Sequence, residues 1–219
     1  MNGSVKRFVK EHHALYLLFW PFNFAVFFLS EYLAEGRALV IHSALDDLIP
    51  FSDFFVVFYV LWYPLWVLML LYCFIREVES FRRMMKYFIL TFTFCNVVYL
   101  VFPTMVDFPQ QIESTNVLRW MMNLLYAADR PTNVFPSEHV IGAFAVFFAA
   151  LDTKRFGKPA WSILAFFLAC MISVSIMFTK QHSFIDLVGT LPLCVAAWLI
   201  CFKPFRKKQT DAPAPPTPQ

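Results

Sequence analysis

The feature that most constrains this chain is a series of long apolar blocks that carry almost no charge. Residues 14–30, for example, contain no charged side chain. A helix rises about 1.5 Å per residue and the hydrocarbon core of a bilayer is about 30 Å thick, so about 20 such residues cross it. Charged residues make up 15% of the chain, whereas soluble domains have about 25%. The sequence therefore predicts an all-α polytopic membrane protein.

The apolar blocks predict six membrane-spanning helices that form one bundle over residues 14–202. Their predicted bounds are 14–33, 54–75, 87–102, 136–151, 160–178 and 184–202. Residues 1–13 precede the bundle as a short N-terminal segment, and the Pro-rich polar segment 203–219 follows it. That last segment has too few apolar residues to bury a core, so we predict that it is disordered.

The basic residues predict how the bundle is oriented, because cytoplasmic loops of membrane proteins are enriched in Lys and Arg. With six spans, both termini and the loops after the second and fourth spans share one side. That side has fourteen of the eighteen basic residues, and the other side has only Arg37, Arg119, Arg130 and Lys180. We therefore expect both termini in the cytoplasm of a bacterial cell. The polar segments described next then lie on the outer side of the plasma membrane.

Two broad classes of function are disfavoured by composition. The net charge of +3 is too small to predict a nucleic-acid partner. The five cysteines lie inside apolar blocks without a CxxC or Cys/His cluster, so the sequence predicts neither a disulfide framework nor a zinc site. These cysteines are Cys73, Cys95, Cys170, Cys194 and Cys201.

The first polar segment, DRPTNVFPSEH at residues 129–139, leads into the fourth predicted span. Pro136 suits the first position of a helix because it has no N–H to lose there. Ser137 and His139 would then lie in the first turn, where free N–H groups and the helix dipole favour a bound phosphate. We predict that Ser137 binds phosphate and that His139 protonates a leaving alkoxide. The alternative is an ordinary helix start with His139 as an interfacial side chain.

The second polar segment, SIMFTKQHSFID at residues 175–186, connects the fifth and sixth spans. His182 and Asp186 are four residues apart and would share a face of one helix. A carboxylate there can hold one ring nitrogen protonated and leave the other free for attack. Lys180 would neutralise phosphate charge. The alternatives are an Asp–His pair that caps the helix, or a metal site built from His139, His182 and Asp186.

Together, the Pro-Ser-x-His and Lys-x-His-x-x-x-Asp patterns resemble the type-2 phosphatidic acid phosphatase superfamily, in particular its branch of inositol-phosphorylceramide-synthase-like proteins. The resemblance implies six transmembrane helices and a lipid phosphate substrate. It also implies that His182 attacks phosphorus to form a phosphohistidine, with support from Asp186. His139 would be the acid for the leaving group, and Ser137 would bind phosphate. The chemistry so implied needs no metal and no cofactor.

The chain departs from the family pattern at two arginines. Phe108 stands where the first motif of this branch has an Arg, and Ile176 stands where the third motif has one. We expect Lys180 and Arg130 to supply the missing charge, with Arg119 as a further candidate. If they do not, the protein would be weakly active, act on a substrate of lower charge, or be an inactive member.

The leading hypothesis is thus an integral membrane lipid phosphate phosphatase. A phospholipid or sphingolipid headgroup phosphotransferase is the alternative, because an alcohol can replace water in the same site. The competing class is a non-enzymatic scaffold or transporter, but transporters place ionisable residues near the middle of broken helices. Here they lie at one face. Between the third and fourth spans, residues 110–129 predict a short interfacial helix, capped by Ser114, Thr115 or Asn116, at which a lipid could enter. The alternative is a packed loop segment between helices.

Overall fold

The computed structural model of the protein describes residues 12–107 and 111–202. Three predictions, on the N-terminal segment before residue 12, on Phe108 and on the tail 203–219, concern residues outside this range. The described chain contains α1 (Phe19–Ala34), β1 (Leu39–Val40), α2 (Ala44–Leu48), α3 (Val56–Arg76), α4 (Val78–Val101), β2 (Thr104–Met105), α5 (Val117–Ala128), α6 (Glu138–Asp152), α7 (Pro159–Phe178) and α8 (Phe184–Cys201). Short 3-10 helices at His13–Leu18 and Asp53–Phe55 precede α1 and α3.

Within the described residues, five helical segments are long and apolar enough to cross a membrane. They are His13–Ala34, Asp53–Arg76, Val78–Val101, Pro159–Phe178 and Phe184–Cys201. These correspond to the first, second, third, fifth and sixth predicted spans. The helical membrane-protein class is therefore supported, whereas the count of six spans stays a prediction that depends on α6.

Helix α6 is the short central helix of the bundle. It has 15 residues, which corresponds to about 22 Å and is less than the thickness of about 30 Å of the hydrocarbon core. It packs against α3, α4, α7 and α8. Because these neighbours surround it, α6 does not itself have to reach both lipid headgroup regions. Small residues, among them Ala143, Ala145 and Ala149, are buried along it and allow this close approach.

The start of α4 differs from the prediction. The third span was predicted to begin at residue 87, with the basic residues before it in a loop, but the helix begins at Val78. Arg and Lys are good helix formers, so the basic segment continues the helix beyond its apolar part. Arg83 forms a salt bridge with Asp152 at the end of α6. The same carboxylate accepts a hydrogen bond from Ser80 (2.7 Å).

Strands β1 and β2 form a small parallel sheet. The sequence did not predict it, because a strand of two residues is too short to show an alternation of apolar and polar side chains. The role of the two strands is to hold the segment before α6. Met105 forms an antiparallel bridge with Thr132. The N–H of Asn133 donates to the carbonyl oxygen of Thr104 (2.8 Å), and the N–H of Phe135 donates to the Thr104 hydroxyl (3.0 Å). These contacts fix residues 132–135 against β2.

The helices carry the polar candidate residues and the basic residues at opposite ends of the bundle. On α3, Tyr59 lies near the candidate residues and Arg76 ends the helix, about 26 Å away at 1.5 Å per residue. On α6, His139 and Asp152 are separated in the same way. Which end faces the cytoplasm stays the prediction made from the distribution of Lys and Arg.

Candidate active site

The predicted polar segments meet at a cavity of about 230 Å³ at one end of the bundle. This volume is below the range of about 300–1,000 Å³ for pockets that enclose a drug-sized ligand. The cavity thus suits a headgroup better than a whole lipid. Its polar lining residues are Asp129, Arg130, Thr132, Asn133, Glu138, His139, Gln181 and His182, and its aromatic ones include Phe27, Trp62, Tyr63 and Tyr99.

His182 is held by two acceptors at one ring nitrogen. Its Nδ1 lies 2.9 Å from the carbonyl oxygen of Val134 and 3.2 Å from Oδ2 of Asp186. Because both neighbours are acceptors, Nδ1 is assigned the proton and Nε2 keeps its lone pair. His182 lines the cavity. This arrangement leaves an oriented imidazole with a nitrogen available for nucleophilic attack.

Asp186 supports His182 from the first turn of α8. The prediction that both residues share a helix face is wrong, because α8 begins at Phe184 and is capped by Ser183. They meet because Asp186 turns back toward the residues before the helix. Its Oδ2 also accepts a hydrogen bond from the Ser183 N–H (2.9 Å). The carboxylate is fully buried, and the contacts of its Oδ2 are this N–H and the His182 ring.

His139 faces His182 across the cavity, with 5.7 Å between the ring centroids. Its own ring packs between Tyr59, at 4.2 Å, and Trp62, at 4.4 Å. Within the described residues, its Nε2 has no hydrogen-bond partner. A carbon atom added at Gly142 would lie 2.4 Å from the Trp62 indole nitrogen, so glycine at this position lets Trp62 support His139. Two imidazoles from distant segments thus share one cavity, as predicted.

Ser137 lies behind the cavity and does not line it. It is the N-cap of α6, with its hydroxyl 3.5 Å from the Val140 N–H. Its own N–H donates to the Thr190 hydroxyl (2.8 Å). The prediction that Pro136 occupies the first helical position is wrong, because α6 begins at Glu138 and Pro136 precedes the cap.

The three cationic side chains that were predicted to bind phosphate lie in different places relative to the cavity. Arg130 lines the cavity and is exposed. Lys180 points away from it, because its amine donates to the carbonyl oxygens of Asp46 (2.8 Å) and Ile49. Arg119 instead contacts Asp53 at 3.4 Å. Among the described lining residues, Arg130 is therefore the one cationic side chain.

Two acidic side chains, Asp129 and Glu138, also line the cavity. The Tyr59 hydroxyl donates to Asp129 (2.8 Å). Burial raises the pKa of Asp129, while the hydrogen bond from Tyr59 and the proximity of His182 offset part of the rise. Asp129 therefore keeps its proton to a higher pH than an exposed aspartate does.

The family model of the PAP2 superfamily matches residues 37–200, more than half of the chain. The chain belongs to the PAP2 superfamily. Membership suggests a phosphatase-type phosphoesterase. The match confirms the superfamily that the sequence patterns predicted. The inositol-phosphorylceramide-synthase-like branch stays a prediction. No curated protein and no solved structure shows a significant similarity to the chain.

The alternative prediction for this PAP2 protein was a metal site built from His139, His182 and Asp186. Within the described ranges, no group of three or more His, Cys, Asp or Glu side chains is placed to hold a metal ion. That includes the set of His139, His182 and Asp186, in which the aspartate is hydrogen-bonded to the histidine ring.

One supporting residue of the PAP2 site, Asp46 on α2, was missed from the sequence. Its Oδ2 accepts a hydrogen bond from the Ser183 hydroxyl (2.6 Å), and its Oδ1 accepts one from the Phe184 N–H (2.7 Å). Asp46 thereby fixes the start of α8, next to His182. The pattern Ser43-x-x-Asp46 could have predicted the capping box that begins α2, which is present. It carried no signal for a contact so distant in sequence.

The predicted short helix is present as α5, and its position at the membrane interface stays a prediction. Its N-cap is Asn116, whose side chain accepts a hydrogen bond from the Arg119 N–H (2.9 Å). One face is buried through Met122 and Leu125, while Trp120 remains exposed. Helix α5 leads directly into the lining residues Asp129 and Arg130. Its role as an entry for lipid remains a proposal.

Proposed function

We propose that this PAP2 protein is an integral membrane enzyme that hydrolyses the phosphate ester of a lipid, with His182 as the nucleophile. The observation that carries the proposal is the fixed position of His182. Its Nδ1 is engaged by Val134 and Asp186, while a second imidazole, His139, faces it at 5.7 Å. If His182 and Asp186 only capped a helix, no second histidine would be needed on the other side of the cavity.

In the first step, the Nε2 lone pair of His182 forms a bond to phosphorus as the bond from phosphorus to the lipid oxygen breaks. Protonated His139 donates its proton to the departing alkoxide, which leaves as a lipid alcohol. Asp186 stabilises the positive charge that develops on the His182 ring. The intermediate is a phosphohistidine.

In the second step, water attacks the phosphohistidine and its proton passes to His139, which is now neutral. The N–P bond breaks, phosphate leaves and the original protonation states are restored. If the hydroxyl of an alcohol takes the place of water, the product is a new phosphate ester. That outcome corresponds to the phosphotransferase alternative, which uses the same residues.

Positive charge for the phosphate comes from Arg130 and from the N-terminal end of α6. Arg130 lines the cavity and the helix dipole is a property of the fold, so both contribute to stabilising the charge of the transition state. Ser137 and Lys180 are also proposed phosphate ligands, each under its own condition. Ser137 would have to release its long cap hydrogen bond, and Lys180 would have to leave the carbonyl oxygens that it now binds.

We place the reaction at the outer leaflet of a bacterial plasma membrane. The support is the distribution of basic residues, since the end of the bundle that carries the cavity is the end poor in Lys and Arg. Helix α5 borders the cavity at that end and exposes Trp120, an aromatic residue typical of membrane interfaces. A lipid phosphate would reach His182 along this helix.

The test is phosphate release by the protein purified in detergent, with EDTA present and with phosphatidic acid, phosphatidylglycerol phosphate and undecaprenyl diphosphate as substrates. We expect activity on at least one lipid and a loss of more than about 10⁴-fold in His182→Ala. His42→Ala is the matched control, because His42 pairs with Asp47 on an exposed surface outside the cavity. Activity that persists in His182→Ala would contradict the nucleophile assignment, and activity lost with EDTA would contradict a metal-independent reaction.

A further inference from the structure

The end of the bundle opposite the candidate active site carries an apolar groove of about 200 Å³ between α3, α6 and α7. Its lining is almost entirely apolar and includes Leu65, Leu68, Val146 and Leu164. Leu68 is 62% exposed and Leu164 is 42% exposed, so the groove opens sideways from the bundle. In a membrane, the material on that side is lipid.

A cluster of basic side chains lies at the mouth of this groove. Its members are Arg76 at the end of α3 and Lys154, Arg155 and Lys158 from the loop between α6 and α7. All four are exposed. Tyr72 lines both the groove and the basic cluster, so the two are continuous. The carboxylate in this cluster, Glu77, accepts a hydrogen bond from the backbone N–H of Lys154 (3.3 Å).

The basic loop, residues 153–158, has a defined conformation. The Thr153 hydroxyl donates to the carbonyl oxygen of Ala150 (3.1 Å), and the Gly157 N–H donates to that of Thr153 (2.9 Å). The ring of Phe156 packs edge-on against Tyr72 at 4.8 Å and against Trp161 at 5.5 Å. The loop therefore holds its cations beside the groove.

We propose that this surface binds one anionic phospholipid, with an acyl chain in the groove and the phosphate-bearing headgroup on the basic loop. The cluster has four cations and one carboxylate, so a headgroup with net negative charge complements it, whereas the cation of a zwitterionic headgroup is repelled. Basic pockets between membrane helices on the cytoplasmic side are typical binding places for anionic lipids. The cluster lies about 26 Å along α3 from Tyr59, which separates it from the substrate cavity.

The experiment compares the binding of phosphatidylglycerol and phosphatidylcholine with identical acyl chains, measured on the purified full-length protein by native mass spectrometry. We expect phosphatidylglycerol to stay bound at detergent concentrations that remove phosphatidylcholine. The triple variant Lys154→Gln, Arg155→Gln and Lys158→Gln should bind phosphatidylglycerol roughly 100-fold more weakly. Because binding is the readout, the result does not depend on any enzymatic activity.

A matched variant separates this site from general attraction to anionic lipid. Arg206→Gln, Lys207→Gln and Lys208→Gln remove the same charge from another segment of the chain, and they should leave phosphatidylglycerol binding unchanged. Dihexanoyl phosphatidylglycerol, whose short chains fill little of the groove, should bind more weakly than the long-chain lipid. Equal binding of the two headgroups, equal binding of the two chain lengths, or equal loss in both triple variants would overturn the proposal.

Discussion

At the scale of single residues, the separate roles proposed for the two histidines, nucleophile for His182 and acid for His139, can be tested by kinetics. If His139 protonates the leaving oxygen, it matters less for a leaving group that departs without a proton. We therefore expect His139→Ala to slow the hydrolysis of an alkyl phosphate by about 10²–10⁴-fold, and that of p-nitrophenyl phosphate much less. The comparison is kcat for the two substrates. His182→Ala is the control and should lose both activities, whereas equal losses in His139→Ala would show that His139 is not the acid.

The raised pKa of Asp129, a second feature of a single residue, predicts that the stability of the protein depends on pH. Burial raises the pKa of Asp129 above its ordinary value of 3.8, so the unfolded chain releases this proton at a lower pH than the folded protein does. The stability that Asp129 contributes is fully present below the unfolded pKa and is lost as the pH rises through the folded pKa. We expect Asp129→Asn to remove this loss, so that its melting temperature rises relative to the native protein as the pH increases.

The matched variant for that measurement is Asp47→Asn, because Asp47 has a side chain that is 70% exposed and lies outside the cavity. Its melting temperature should follow that of the native protein across the pH range. Parallel curves for the native protein and Asp129→Asn would show that Asp129 does not contribute in this way.

The proximity of the two histidines and Asp186 was predictable, but the directions in which the cationic side chains point were not. His139, His182 and Asp186 could be selected because their residue types carry acid–base chemistry and because the six-span layout puts both segments at the same end of the bundle. Lys180 has a positive φ of 58°, and its amine is taken up by carbonyl oxygens more than a hundred residues earlier in the chain. No local pattern records such a contact.

At the scale of elements, the start of α8 depends on the distant helix α2. Asp46 binds the Ser183 hydroxyl and the Phe184 N–H, and a hydrogen bond to a charged group is worth about 1.5–3 kcal/mol. We expect Asp46→Ala to lower the free energy of unfolding by at least that amount and to reduce kcat, because His182 directly precedes this turn. Thermal melting and phosphate release on one preparation give both values.

The neighbouring carboxylate provides the comparison for this prediction. Asp47 lies on the same short helix but pairs with exposed His42, so Asp47→Ala should change neither quantity substantially. If Asp46→Ala melts and reacts like the native protein, then α2 does not position His182.

The long helices and the short strands were predictable to different extents, because different interactions determine them. Five long helices follow from apolar length alone, since a segment buried in lipid must satisfy its own backbone hydrogen bonds. The early start of α4 was not predicted, because hydropathy does not register a helix that continues through Arg82 and Arg83. Strands β1 and β2 depend on each other and on Thr132. Tertiary contacts of that kind leave no periodic pattern in the sequence.

At the scale of the whole molecule, α6 is the helix that decides how many times the chain crosses the membrane. Its residues are as apolar as those of a lipid-facing helix, and hydropathy does not distinguish burial in protein from burial in lipid. The chain enters α6 at the cavity and leaves it at the opposite end, where Arg83 pairs with Asp152. His13, near the start of the described chain, packs against Phe74 at that same opposite end. This geometry is the one expected if α6, although shorter than the bilayer core, makes the predicted sixth crossing.

This arrangement predicts opposite accessibility for two exposed positions. Thr115 precedes α5 at the cavity end, where the adjacent Asn116 binds Asp53 (3.0 Å), and Lys158 lies at the other end. On intact cells, a membrane-impermeant maleimide should label Thr115→Cys, and it should label Lys158→Cys only after lysis. The native protein gives the background, because four of its five cysteines are buried and Cys170 is partly buried. Labelling of both positions from one side would show that α6 does not carry the chain across the membrane. Reversed labelling would instead place the His182 cavity at the cytoplasmic face, since the basic end of the bundle would then lie outside the cell.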